Sequence, residues 1–182
     1  MADVKFLVGE RVYLRPLLDR DAAGSYPFWL NDHDVCQGTS HHIYPYSREN
    51  ALEYIVQSHD VQKALVLAMV LRENDKHIGN IALQRLNWIY RTAEFAILLG
   101  DKTEWGKGYA LEAARLLIKH GFTALNLNRI ECATFDNNEG MKKLALTLGM
   151  KQEGVRREAA YKNGEFLDIV EFGVLRDEMF KA

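Results

Sequence analysis

The sequence predicts one α/β domain of the α+β kind, built on a mixed sheet. Strand-like and helix-like segments follow one another as β, α, α, β, β, β, α, β, α, β, β, with no repeat, linker or low-complexity break. Two turn signals, Glu73-Asn74-Asp75-Lys76 and Asn163-Gly164, mark antiparallel hairpins. The apolar run Thr92–Leu99, the helix after it and a second apolar run make a parallel crossover unit. At 182 residues the length is that of one domain, large enough to bury roughly 70% of its unfolded surface.

Each element has its own reason. Arg11–Leu17 alternates polar and apolar residues and ends near Pro16, as an outer strand would. Asp19–Leu30 reads as a helix interrupted by Pro27, which lacks an N–H. The turn-rich segment 31–46, with His33, His41 and His42, reads as a loop. Ser47 is a good N-cap for a helix to about Ser58 with Ala51, Tyr54 and Ile55 on its apolar face. The strands Ala64–Leu71 and His77–Leu86 flank the first turn. Thr92–Leu99 leads to a helix starting near Gly108, and Asn128–Phe135 is the next strand. Asn138 opens a short helix with Met141, Leu144, Ala145 and Leu148 on one face, stopped at Gly149.

Composition excludes several classes. The net charge is -2 and the pI about 6.3, with opposite charges interspersed, so nothing resembles a basic stripe for nucleic acid. Cys36 and Cys132 lack C-x-x-C spacing, and Cys132 lies in an apolar run where a buried free thiol is expected. Met1–Tyr13 has no apolar signal core, and the longest apolar run, Ala64–Leu71, is too short to span a membrane. The expectation is a cytoplasmic protein with no membrane or nucleic-acid partner and no metal, since the adjacent His41 and His42 lack a third ligand.

The most informative stretch is Glu104-Trp105-Gly106-Lys107-Gly108-Tyr109-Ala110, which joins an apolar strand to an amphipathic helix. Glycine permits positive φ and close approach, and the first helical N–H groups and the helix dipole favour an anion such as a phosphate. An ordinary turn is the other reading. A dinucleotide fingerprint fails because Leu111 stands where its third glycine belongs, and no Walker loop occurs.

Taken together, these segments resemble the GNAT superfamily of acetyl-CoA-dependent N-acyltransferases, in particular its RimJ/RimL-like branch. The likeness rests on Arg91-Thr92-Ala93-Glu94-Phe95, on the Trp105–Ala110 cradle, on Asn138 ahead of Gly149-Met150, and on the hairpin Tyr161–Asp168. It covers nearly the whole chain and implies one acetyltransferase domain over residues 8–180. Its sheet would be mostly antiparallel and twisted, with the fourth and fifth strands, Thr92–Leu99 and Asn128–Phe135, splayed apart. The resemblance implies that acetyl-CoA lies with its diphosphate on the N–H groups of Trp105, Gly106, Lys107, Gly108, Tyr109 and Ala110. Its pantetheine would run beside Ile97, Leu98 and Leu99, with Asn138 on the other side. Asn138 also reads as a plain helix cap, and Lys142 and Lys143 as solvated surface lysines.

An alkyl ammonium of pKa about 10.4 is only about 0.04% neutral at pH 7, so an acetyltransferase must remove a proton before the amine attacks. Glu94 is the candidate base, through a bound water; an edge charge or hydrogen-bond anchor is the alternative. The chain departs from the family at the leaving-group acid, because Met141 and Ala145 occupy the positions where a hydroxyl is usual. Tyr44, Tyr46 and Tyr161 are the reserves. A thiol of pKa near 8.5 leaves tolerably without help, and a less basic acceptor such as an amino sugar or a protein N-terminus of pKa about 7.7 to 8.0 is favoured over an alkyl polyamine. Trp29, His41, Trp88 and Tyr90 are placed on the acceptor side, with core packing as the default reading for the tryptophans. The resemblance makes a homodimer plausible. The non-enzymatic reading is an acetyl-CoA-binding sensor or partner module.

Overall fold

The computed structural model describes residues 4–179. Its strands are β1 (Leu7–Val8), β2 (Val12–Pro16), β3 (Leu65–Leu71), β4 (His77–Asn87), β5 (Thr92–Leu99), β6 (Arg129–Phe135), β7 (Lys151–Lys162) and β8 (Glu165–Leu175). They form one sheet in the order β1-β2-β3-β4-β5-β6-β8-β7. Among neighbours only β5 and β6 are parallel, and the helix α5 (Tyr109–Thr123) supplies the crossover that parallel strands need.

Both faces of the sheet are covered, so β3 reads as a continuous apolar run rather than an alternation. Leu67, Met69 and Leu71 join Val12, Leu14 and Phe95 in a core that includes Ala113, Leu117 and Phe122 of α5. Val66, Ala68 and Val70 pack on the other side with Tyr13, Tyr26, Trp29, Ala51 and Ile55. Each buried Val, Leu, Ile, Phe or Met side chain contributes about 1.5–3 kcal/mol.

The N-terminal helices differ from the single interrupted helix expected over Asp19–Leu30. Two short helices form instead, α1 (Asp19–Ala22) and α2 (Tyr26–Leu30), and Pro27 sits in the first turn of α2, where a missing N–H costs nothing. The segment expected to be a loop contains α3 (His33–Cys36), whose first N–H groups are capped by the Asp32 carboxylate. Ser47 caps α4 (Arg48–Ser58) with Asn50 returning the bond, and Ala51 and Ile55 face inward as expected. Tyr54 lies at the rim.

β2 is not the outermost strand. β1 pairs outside it, and Arg15, which alternation would send to solvent, is buried on Asp21 of α1.

The C-terminal half follows expectation. Asn138 caps α6 (Glu139–Thr147), Gly149 has φ +81° just past its end, and Asn163 and Gly164 both have positive φ between β7 and β8, as a tight hairpin requires. A short helix α7 (Arg176–Met179) follows β8.

β5 and β6 pair only where Thr92–Glu94 faces Arg129–Glu131. Beyond that, β5 stays with β4 to Leu99 while β6 stays with β8 to Phe135. The expected splay of the fourth and fifth strands is therefore present, shifted by one number because β1 precedes them. It leaves residues 95–99 and 132–135 as the walls of a V-shaped cleft.

Both cysteines are free and buried. No helix among the described residues is long and apolar enough to cross a membrane.

Candidate functional site

The cradle stands at the end of β5. Gly106 and Gly108 have φ of +75° and +85°, a region that costs any other L-residue energy, and Gly108 is the residue from which α5 starts. The first N–H of this stretch to find a main-chain acceptor is that of Glu112, on the Gly108 carbonyl at 3.2 Å. The N–H groups of residues 106–111 have none among the described residues. A Cβ on Gly106 would meet nothing within 4 Å, so the loop lies open on that side. Six main-chain donors at the positive end of a fifteen-residue helix thus lack a main-chain acceptor among the described residues.

The loop is braced from behind. A 3-10 turn, Lys102–Glu104, precedes it, capped by the Asp101 carboxylate. Lys76 from the β3–β4 turn pairs with Asp101 at 2.7 Å and Glu104 at 3.1 Å. Lys102 pairs with Asp32 at 2.7 Å and Asp34 at 3.0 Å. Lys107 does not face the opening, because its ammonium sits on Glu104 at 2.8 Å. Lys107 and Lys76 hold the Glu104 carboxyl below the usual carboxylate range. The Trp105 indole N–H also turns inward and donates to the Leu99 carbonyl at 2.8 Å.

On the other side of the cleft Asn138 acts as the helix cap, accepting from the Met141 N–H at 3.0 Å, while its amide donates to the Gly38 carbonyl at 3.0 Å. A Cβ on Gly38 would fall 2.3 Å from that amide nitrogen, so only glycine admits the contact. The Lys162 ammonium, itself buried, donates to the His41 carbonyl. Residues 38–41 are therefore tied to both β6–α6 and the β7–β8 hairpin. Lys142 donates to the Asp136 carbonyl and pairs with Glu139 at the start of α6.

Glu94 lies at the crotch of the V, on the last residue where β5 and β6 pair. One carboxylate oxygen accepts from the Gln84 amide at 2.8 Å and the other pairs with Arg85 at 3.0 Å. The Arg85 side chain is 81% exposed, so this ion pair is loose and screened. Gln84 and Arg85 carry no signal in the sequence, since only the antiparallel register sets Gln84 opposite Glu94.

The residues placed on the acceptor side fare differently. Trp29 is 6% exposed, stacked edge-on against His77 and packed so tightly on Gly100 that a Cβ there would fall 2.0 Å from its ring. This burial accords with core packing, the default reading for the tryptophans. Trp88 and Tyr90 are exposed on the β4–β5 turn ahead of Glu94, with the Trp88 indole bonded to the Gln62 carbonyl. His41 sits in the tethered loop, where desolvation and then the Lys162 charge hold its imidazole below the ordinary range. Ala145 is fully buried and Met141 packs on the core, so α6 offers no hydroxyl at either position. The Tyr46 hydroxyl is engaged with the Asn50 carbonyl and the Tyr26 hydroxyl, whereas Tyr44 and Tyr161 point outward. No group of three or more His, Cys, Asp or Glu side chains among the described residues could hold a metal.

An open anion cradle closing one end of a splayed parallel strand pair can be compared with known proteins. Residues 11–151 match the model of the acetyltransferase (GNAT) domain. The chain belongs to the GNAT family of N-acetyltransferases. It is 31% identical over 176 residues to the uncharacterized N-acetyltransferase p20 of Bacillus licheniformis, covering 94% of this chain and 97% of that one. It is 28% identical over 134 residues to the spermidine N(1)-acetyltransferase of Vibrio cholerae, covering 74% of this chain and 77% of the relative. In three dimensions it is similar to the ribosomal-protein-S5-alanine acetyltransferase of Vibrio fischeri, with a TM-score of 0.83, 24% identity, and 96% or more of each chain covered (97% and 99%). This last likeness establishes the GNAT fold.

Proposed function

We propose that the protein transfers the acetyl group of acetyl-CoA to a primary amine. The observation that carries the proposal is the open row of main-chain donors from Gly106 to Leu111 at the head of α5. The residues present fit the coenzyme: six N–H groups without a main-chain acceptor among the described residues, and Gly106 with nothing near its Cβ position, suit a diphosphate. The edge of β5 at Ile97, Leu98 and Leu99, which β6 does not pair and where the Trp105 indole takes the Leu99 carbonyl, suits the amide-bearing arm as an added strand would. The domain so used spans residues 8–180.

When bound, the coenzyme supplies an acetyl thioester open to attack by an amine. The chain's own residues then bind, orient and move a proton. Gly106, Gly108, Tyr109 and Ala110 hold the diphosphate, and Trp105 fixes the end of β5. Asn138 closes the far side of the cleft, with Gly38 held by its amide. Glu94 removes the proton from the incoming ammonium through a water. The Gln84 amide orients its carboxylate. Trp88, Tyr90 and the His41 loop form the walls the acceptor meets. The family membership favours this enzymatic reading over a sensor module.

The acceptor is an amine of modest basicity, an amino sugar or protein N-terminus before an alkyl polyamine, because Glu94 is the one candidate base and a less basic ammonium gives up its proton more readily at neutral pH. The name of one relative, a spermidine N(1)-acetyltransferase, supports the amine class as a whole. A free-thiol release assay with acetyl-CoA against amino sugars, polyamines and N-terminal peptides tests both points. Turnover strongest on the less basic amines is expected. Coenzyme binding without turnover on any class would overturn the enzymatic proposal.

A further inference from the structure

The cradle is shaped from outside by a residue about a hundred positions earlier in the chain. Arg11, in the turn between β1 and β2, donates from Nη1 to the Lys107 carbonyl at 2.9 Å and from Nε to the Glu112 carboxylate at 3.0 Å. The same carboxylate takes the Arg11 N–H at 2.8 Å and the Val12 N–H at 3.2 Å. The guanidinium lies over the Tyr109 ring with 5.0 Å to its centroid, and its Nη2 would stand 3.3 Å from a Cβ on Gly108. One planar fork therefore touches the chain at positions 107, 109 and 112, on both sides of the point where the helix begins.

We propose that Arg11 is the positioning residue of the coenzyme site, which presets the diphosphate loop rather than bonding the coenzyme itself. In a trans peptide the C=O and the following N–H point in opposite directions. Gripping the Lys107 carbonyl turns the Gly108 N–H away from the β1–β2 turn and onto the side where the loop is open. Glu112 anchors the guanidinium so that it cannot swing toward the ligand, and the rigid fork lets one side chain hold the loop and the helix at once. Lysine, with a single nitrogen on a flexible stem, cannot do both. A loop with two positive-φ glycines would otherwise have to be ordered by the ligand, which would weaken binding.

This inference rests on the coenzyme reading above, and its test separates the two. Dissociation constants for CoA and for pantetheine, which lacks the diphosphate, are measured by competition calorimetry on the wild type, Arg11→Met, Arg11→Lys and Glu112→Gln. Failure of the wild type to bind CoA would overturn the coenzyme reading itself. If the wild type binds, the ratio of the pantetheine constant to the CoA constant should fall roughly tenfold to a hundredfold in Arg11→Met, the scale of one or two charge-assisted hydrogen bonds, with pantetheine binding unchanged. Arg11→Lys should fall as far, and Glu112→Gln part of the way. A general structural role would weaken both ligands alike and leave the ratio unmoved, which would overturn the inference. Retention of the wild-type ratio in Arg11→Lys would overturn it too, since charge alone would then suffice.

Discussion

Removing the carboxylate of Asp21 should destabilise the fold by about 3–5 kcal/mol, a large share of the ~5–15 kcal/mol typical of a domain. Arg15 is 3% and Asp21 4% exposed, and the carboxylate accepts from Arg15 Nη1 at 2.7 Å, Arg15 Nη2 at 2.8 Å and the Leu18 N–H at 2.8 Å. Three bonds to a charged group, at about 1.5–3 kcal/mol each, give ~5–9 kcal/mol, from which several kcal/mol of carboxylate desolvation must be subtracted. Asp21→Ala removes the bonds and leaves the arginine buried without its bidentate partner. Urea unfolding at pH 7 measures the difference, and a loss below about 1 kcal/mol would refute the reasoning. The pH dependence has a definite sign. Burial pushes the Asp21 carboxyl up, but its bonds with Arg15 and His77, the His77 charge and the Leu18 N–H together hold it well below the usual range. On acidification the unfolded chain takes up this proton first. The contribution is thus complete above the unfolded value of about 3.9 and is lost progressively as pH falls toward the folded one. Asp21→Asn should therefore lose less stability below pH ~4 than the wild type does.

Three further outcomes are expected. Glu94→Gln should lower the rate about a hundredfold or more at neutral pH and much less at a pH where the amine is already neutral; equal losses at both would remove Glu94 as the base. Gly108→Ala, which forces an L-residue to φ +85° beside Arg11, should weaken CoA binding roughly tenfold, as measured by calorimetry, while unchanged affinity would show that the loop does not need that conformation. Burial, followed by Glu94 and Glu131, pushes the Cys132 thiol up to about 12, and burial raises Cys36 as well. Neither should react with a thiol reagent at pH 8 until the protein is unfolded, and rapid labelling of the native state would contradict their burial.

Much of this architecture was legible because local chemistry and tertiary demand agree. Ser47, Asn138, Gly108 and Asn163-Gly164 mark caps and turns whose conformation is set within a few residues. The breaks among the N-terminal helices were misread for the opposite reason: Pro27 belongs to a first turn, and only packing around Tyr26 and Trp29 decides where α2 starts. The packing partner of Trp29 was not legible, because Gly100, which receives it, is 71 positions away. The donor side of the site was readable from one contiguous loop. Its supports were not: Arg11 with Glu112, Lys76 with Asp101, and Gly38 with Asn138 meet only after the sheet is assembled.

Amide chemical shifts of the 15N-labelled protein titrated with CoA test the cradle most directly. The largest changes should fall on the N–H groups of residues 106–111 and on Ile97, Leu98 and Leu99 along the open edge of β5. Saturable shifts confined to other surfaces, with these amides unmoved, would contradict it.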